Sequence, residues 1–376
     1  MMKSVVIFGG TGFIGTHLAQ HLLTRDLAET IFLVDLAPPR DFPYSRQLQS
    51  ALKSGRAVYV QHDVRQSVPQ GLLPQNAELV FNLAAIHREP GHAASEYFET
   101  NLLGAENVCG WASSAGCKTM VFTSSISPYG PTEAEKTERS LPVPETPYGS
   151  SKLAAEKIHL AWQSAAQERQ LLILRPGVVF GPGEGGNVTR LVRSLMKGYF
   201  VYLGNRSTVK AAGYVKELCL VTEFGLETLR QTASPFLLMN FTMDPPPTME
   251  KMVKAIQEVG GKKRTPFNLP RGLLMAMSYP LSGLEYVLRI TFPINRVRIR
   301  KLIRSNNVMP AELRLLNYQY TYTLESAFAD WRQDAPEDFA PSSEATIQVP
   351  QPAKDPEWQF SQKQSLPTLT PRARKP

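Results

Sequence analysis

Short apolar runs and longer amphipathic stretches alternate along the first half of the chain. Runs of strand length fall at 4–8, 30–34, 57–61, 79–83, 119–123 and 171–174. Between them, apolar positions recur at helical spacing over 13–25, 97–114 and 148–169. Strands alternating with helices in this way predict an α/β fold built on a Rossmann-type, doubly wound parallel sheet. The crossover helices are then expected on both of its faces.

After Arg175-Pro176-Gly177 the rhythm changes. Short strands at 209–215 and 236–241 mix with helices at 189–197, 215–230 and 248–259, and prolines become frequent. The expected division is a main domain over 1–177 and a smaller mixed α/β lobe over 178–334 that closes over a ligand. The chain is free to re-enter the first domain from within that lobe. From 335 to 376 Pro, Ser, Gln and charged residues dominate, so this stretch reads as a disordered tail. It holds too little apolar surface to offset its ordering entropy.

The stretch 272–304 stands apart, with Leu273-Leu274-Met275-Ala276-Met277 and Val297-Arg298-Ile299-Arg300. One reading packs one or two helices against the lobe; a sharper one lays an amphipathic surface on an anionic membrane as a peripheral contact. Pro280, Glu285, Arg289 and Pro293 interrupt it too often for a spanning helix.

Composition narrows the class further. A chain of 376 residues, 43% hydrophobic and 20% charged, can bury one large core and a smaller lobe. No apolar run is long enough to cross a bilayer, and Met1-Met2-Lys3 leads directly into a strand pattern. A signal peptide is not expected, and the expected location is cytoplasmic, at most peripheral on a membrane. Cys109, Cys117 and Cys219 lack metal-ligand spacing and read as reduced thiols, with no metal site. The net charge of +8 is concentrated in 262–304 and at Arg372, Arg374 and Lys375. It suits an anionic substrate or membrane surface, and no nucleic-acid motif accompanies it.

The first chemical signal is Gly9-Gly10-Thr11-Gly12-Phe13-Ile14-Gly15, a G-x-x-G-x-x-G turn between a strand and a helix. Gly9, Gly12 and Gly15 let the backbone turn sharply and bring N–H groups to a pyrophosphate at the positive end of the helix. Asp35 ends the second strand, and a carboxylate there accepts from both adenosine ribose hydroxyls and repels a 2′-phosphate. NAD is therefore expected over NADP, although Arg40 lies close enough in sequence to serve a 2′-phosphate.

The second signal pairs Tyr148 and Lys152 on one helix face, following a strand that ends in Thr123-Ser124-Ser125. A phenol near pKa 10 is a poor base at neutral pH. A neighbouring ammonium and the nicotinamide's positive charge favour the phenolate, and a shift of about three units takes roughly 4 kcal/mol. Tyr148 could then remove the proton of a substrate hydroxyl while Ser125 orients the reacting oxygen. Lys152 would also hold the nicotinamide ribose.

His62-Asp63-Val64-Arg65, Asn82-Leu83-Ala84-Ala85 and Asn101 join these motifs in order over residues 4–182. Together they resemble the extended short-chain dehydrogenase/reductase family. The resemblance implies that Asp63 and Val64 meet the adenine, and that Leu83, Ala84 and Ala85 line the cofactor channel. Phe13 and Ile14 continue the phosphate turn, and Asn101 stands beside the site.

Within that family, 4,6-dehydratases carry Thr-Asp-Glu after the strand, whereas this chain has Ser125-Ile126-Ser127 and no acid for water elimination. The cysteine typical of GDP-fucose synthases is also missing there. What remains resembles nucleotide-sugar 4-epimerases of polysaccharide biosynthesis, acting at C4 of a UDP-hexose or UDP-N-acetylhexosamine through a 4-keto intermediate. That resemblance implies Asn187 as a contact to the nucleotide diphosphate or base, Lys210 as a contact to the diphosphate, His87 and Arg88 as contacts to the sugar, and a homodimer. Two alternatives stay open: a 3β-hydroxysteroid or sterol-type dehydrogenase, and a non-catalytic NAD-binding regulator. Ser125, Tyr148 and Lys152 together speak against the latter.

Overall fold

In this computed structural model, residues 1–269 apart from Pro90, Gly204 and Ala233, together with residues 304–340, are described. The expected amphipathic stretch therefore lies outside the described residues over 272–303, and the expected tail lies outside them from 341 onward.

The strands in chain order are β1 (Met2–Phe8), β2 (Ala28–Asp35), β3 (Ala57–Gln61), β4 (Leu79–Asn82), β5 (Thr119–Thr123) and β6 (Thr132–Lys136). They continue as β7 (Gln170–Pro176), β8 (Val178–Phe180), β9 (Val201–Leu203), β10 (Ala212–Tyr214), β11 (Phe236–Phe241), β12 (Phe267–Leu269) and β13 (Asn306–Val308). The helices are α1 (Phe13–Thr24), α2 (Arg46–Ser54), α3 (Ala94–Ser114), α4 (Pro147–Ser164) and α5 (Asn187–Met196). After these come α6 (Val215–Thr232), α7 (Met249–Gly260), α8 (Ala311–Leu315) and α9 (Leu324–Asp334).

A seven-stranded sheet runs β11-β7-β5-β4-β1-β2-β3, every pairing parallel. The order reverses between β1 and β4, so the ends of those strands open the crevice where ligands bind in such sheets. The doubly wound α/β expectation holds.

β1 shows why the sheet sits where it does. Val5 and Ile7 point into a core shared with Leu18 and Leu22 of α1 and Leu218 and Leu226 of α6. Val6 and Phe8 point the other way, against Val108, Trp111 and Ala112 of α3 and Ala155 and Trp162 of α4. All four strand residues are fully buried, and each such side chain contributes about 1.5–3 kcal/mol. No helix links β3 to β4; Pro69, Gly71 and Pro74 in that connection explain why.

β11 re-enters the main sheet beside β7, with Phe236 opposite Leu171 and Phe241 opposite Pro176. A third apolar cluster joins α5, α7 and α9 through Val192, Leu195, Val253, Ile256, Phe328 and Trp331. Phe339 packs into the same cluster, and the Asp338 carboxylate accepts from Trp331 Nε1 at 3.0 Å and from Arg193 at 2.8 Å. These aromatic and ionic anchors correct the tail reading for 335–339. The expected strand at 209–215 is shorter, reaching only over β10, with isolated bridges at Val209 and Lys210. No helix among the described residues is long and apolar enough to cross a membrane.

Candidate active site

The glycine turn is built for close backbone approach. Gly9 adopts φ +78°, and a Cβ there would lie 2.8 Å from the backbone of Leu83 and Ala84. A Cβ on Gly15 would lie 2.3 Å from the Gly9 carbonyl oxygen. Gly12 caps α1, so Phe13, Ile14 and Gly15 form its first turn, where N–H groups lack intrahelical partners. The turn therefore presses on the loop after β4 while leaving an anion-binding helix end. At the end of β2, Asp35 accepts from the Thr11 N–H at 3.2 Å and from the Leu36 N–H at 2.8 Å, which fixes the carboxylate beside the turn. Such a cradle suits a dinucleotide.

Asp63 is locked by Arg65, whose Nε and Nη2 donate to its carboxylate at 2.9 and 2.6 Å, and this pairing holds its pKa below the usual carboxylate range. Val64 is buried beneath α3, where a Cβ on Gly104 would meet its Cγ2 at 3.0 Å. Asn101, also buried, accepts from the Ile86 N–H at 2.9 Å and donates to Ser151 Oγ at 2.9 Å. It ties α3 to the Leu83-Ala84-Ala85 loop and to α4.

Tyr148 stands in the first turn of α4. Thr146 caps that helix by accepting from the Gly149 N–H at 3.1 Å, and Pro147 opens it. A Cβ on Gly149 would lie 2.7 Å from the Ser127 carbonyl oxygen, so only glycine lets the helix come this close to the strand end. That approach brings the Tyr148 phenol to the end of β5, where Ser125 favours its ionised form. Ser125 Oγ also accepts from the Ser127 N–H at 3.1 Å and lies 3.1 Å from Ser127 Oγ. Burial pushes the Tyr148 phenol up to about 12, with Ser125 working the other way.

Lys152, one turn on, is 2% exposed and its ammonium sits 4.2 Å from the Phe122 ring centroid. Burial lowers its pKa to about 7, against the pull of Glu156. It has no hydrogen-bond partner among the described residues, leaving its donors available to a ligand.

The structure thus brings Tyr148 to the strand end that bears Ser125, places Lys152 on the same helix and seats Leu83 and Ala84 against the glycine turn. The sugar- and nucleotide-side positions are looser. His87 and Arg88 are exposed after β4, where the Arg88 carbonyl accepts from Tyr97 at 2.5 Å. Asn187 is exposed at the start of α5, its side-chain oxygen held by Arg190 at 2.6 Å. Lys210 donates to the Arg304 carbonyl at 2.7 Å, and burial lowers its pKa to about 8 against Glu133. It fastens the chain around residue 304. The motif reading missed a buried Glu156–Arg175 ion pair on α4 and β7.

Comparison with known proteins agrees with this geometry. The chain is 28% identical over 327 residues to the N-acetyl-alpha-D-glucosaminyl-diphospho-ditrans,octacis-undecaprenol 4-epimerase of Escherichia coli O157:H7, covering 86% of this chain and 92% of that protein. It is 26% identical over 294 residues to a 3beta-hydroxysteroid-dehydrogenase/decarboxylase of Arabidopsis thaliana, covering 73% of this chain and 65% of that one. In fold it is similar to the UDP-glucuronic acid 4-epimerase of Bacillus cereus solved with NAD. That likeness has a TM-score of 0.68 at 19% identity and covers 90% of this chain and all (100%) of the other. The sequence pattern of the NAD dependent epimerase/dehydratase family matches residues 5–235. With the glycine turn, Ser125, Tyr148 and Lys152 inside that span, the chain belongs to the NAD dependent epimerase/dehydratase family.

Proposed function

We propose that this enzyme is an NAD-dependent 4-epimerase of a hexose or N-acetylhexosamine carried on a diphosphate, with a nucleotide sugar as substrate. The observation that carries the reading is the close pass of the α4 N-terminus over Ser127, which brings Tyr148 to the strand end that bears Ser125, with Lys152 one turn away and no acid at 126–127. NAD, when bound, would supply the acceptor and donor of hydride for the sugar C4. Tyr148 removes the C4 hydroxyl proton and gives it back after the sugar has presented its other face. Ser125 fixes the reacting oxygen by hydrogen bonding, and Asn101 holds the loop that forms the channel wall. Lys152 supplies a positive charge one helical turn from the phenol and binds ribose hydroxyls through its open donors.

The E. coli relative, which shares most of its length with this chain, supports a second reading in which the same sugar is attached to a polyprenyl diphosphate. Incubation without reductant distinguishes the readings. Purified enzyme given UDP-N-acetylglucosamine, or the polyprenyl-diphosphate-linked sugar, should yield the C4 epimer with no net NADH. NADH accumulating with a sterol, and no epimer from either sugar, would replace the epimerase by the dehydrogenase alternative.

Cofactor choice gives a separate expectation. Asp35→Ala removes the carboxylate that would meet the ribose hydroxyls. Because a hydrogen bond to a charged group is worth about 1.5–3 kcal/mol, NAD affinity should fall roughly 10- to 100-fold and the preference over NADP should narrow. Titration of both cofactors checks it; an unchanged ratio would remove Asp35 from that role.

A further inference from the structure

Behind the candidate catalytic residues lies an ionic network that the motifs did not single out. Glu156, one turn beyond Lys152 on α4, is 3% exposed, and Arg175 on β7 is 4% exposed. Arg175 Nε donates to Glu156 Oε1 at 2.8 Å and Nη2 donates to Oε2 at 2.6 Å. Ser124 Oγ donates to the same Oε1 at 2.5 Å, while the Ser124 N–H donates to the Leu174 carbonyl at 2.7 Å. The remaining guanidinium nitrogen donates to the Tyr129 hydroxyl at 2.7 Å, and that hydroxyl donates to Asn240 at 3.0 Å. One carboxylate therefore joins α4 just past Lys152, the residue preceding Ser125, and β7.

Stability alone does not explain such a pair, because apolar residues of similar size usually serve a core as well or better. Its neighbour does. Lys152 has lost its hydration against Phe122, and burial drives an ammonium toward the neutral amine. Glu156 is the charge that opposes this. His159, from the same helix, also stacks on Phe122 at 3.9 Å, but burial drives its pKa down to about 3, so it is neutral near pH 7. His87 lies within electrostatic reach of Lys152 from the loop after β4. Tyr97 on α3 and Glu89 face Tyr148. On β5, Phe122 is uncharged and Ser124 is bound to Glu156.

We propose that the Glu156–Arg175 pair sets the charge of Lys152: Glu156 holds the ammonium protonated, Arg175 moderates that pull, and Ser124 couples the same carboxylate to the backbone carrying Ser125. Glu156 and Arg175 are positioning residues, acting through Lys152 and Ser125. The inference rests on the roles given to Lys152 and Tyr148 in the epimerase reading.

The two partners should shift Lys152 in opposite directions. Glu156→Gln leaves Arg175 unpaired and lowers the pKa of Lys152; Arg175→Met leaves the carboxylate unshared and raises it, each by about one pH unit or more. On the purified enzyme, the pH dependence of Lys152 acetylation by trace acetic anhydride, followed by mass spectrometry, reads this without any substrate. It therefore stands or falls separately from the choice of sugar. In kcat against pH, the acid limb should move up for Glu156→Gln and down for Arg175→Met, with KM little changed. Lys152 is one turn from Tyr148 and Glu156 is two, so the change at Lys152 dominates at the phenol. Arg175→Lys keeps a charge but not the two-pronged fork, and should show the Arg175→Met direction in milder form where that variant fails to fold. Lower kcat with no shift of either profile, or shifts of the same sign in both variants, would mean that the pair only supports the fold and would overturn the proposal.

Discussion

Tyr148→Phe is expected to lower kcat by about 10²- to 10⁴-fold, the usual contribution of a positioned general acid–base group, while NAD binding and thermal stability stay near wild type. The substitution removes one oxygen and keeps the ring. The contacts that seat it also survive: the Thr146 cap and the close pass of Gly149 over Ser127 use backbone and neighbouring atoms. What disappears is the hydroxyl beside Ser125. Burial drives this phenol up to about 12, so the protein around it favours the neutral form and a proton-accepting Tyr148 depends on nearby positive charge. For that reason the loss should fall on kcat and leave KM largely alone. Steady-state kinetics with a melting curve decides it, and near-normal turnover would take the proton-transfer role away from Tyr148.

The parts of this site readable from sequence are those carried by local signals. A glycine spaced to relieve a clash, a carboxylate ending a strand and a Tyr-Lys pair at helical spacing each leave a mark within a few residues. The six early strands were legible for a related reason: each is a run of mostly apolar residues, and in the interior of the sheet helices cover it, as β1 shows with Val5, Val6, Ile7 and Phe8 all buried. Long-range pairings leave no such mark. Glu156 and Arg175 are 19 positions apart, each a single charge inside an otherwise apolar element, and only the packing of α4 on β7 makes them partners. The family resemblance implies a ligand contact for Lys210, and nothing near it in sequence marks the carbonyl 94 positions away to which its ammonium donates. At the C-terminus, polar composition suggested disorder from 335, yet the Phe339 ring and the Asp338 bond to Trp331 bring 335–339 into the fold. α2 was missed because it is short and largely polar, burying only Leu48 and Ala51.

Gly15→Ala should be the most damaging single-methyl change in the cofactor half, and Gly110→Ala provides its control. A Cβ at Gly15 would stand 2.3 Å from the Gly9 carbonyl oxygen and 2.8 Å from two Gly10 backbone atoms. None of these is the end of a flexible side chain, so the methyl can be admitted only by moving α1 or opening the turn. Overpacking typically costs 1–3 kcal/mol, and an all-backbone clash places the loss at roughly 3 kcal/mol. Opening the turn also misaligns the N–H groups that would meet the pyrophosphate, so NAD affinity should fall about 100-fold, equivalent to about 2.7 kcal/mol. At Gly110, on the exposed side of α3, a Cβ would meet nothing within 4 Å. There the same methyl should stabilise by about 0.5–1 kcal/mol, because alanine gives up less backbone freedom in a helix. Denaturant unfolding and NAD titration of the two variants measure both effects. Equal behaviour would show that the turn yields to a side chain and that its glycines are not what shapes the phosphate cradle.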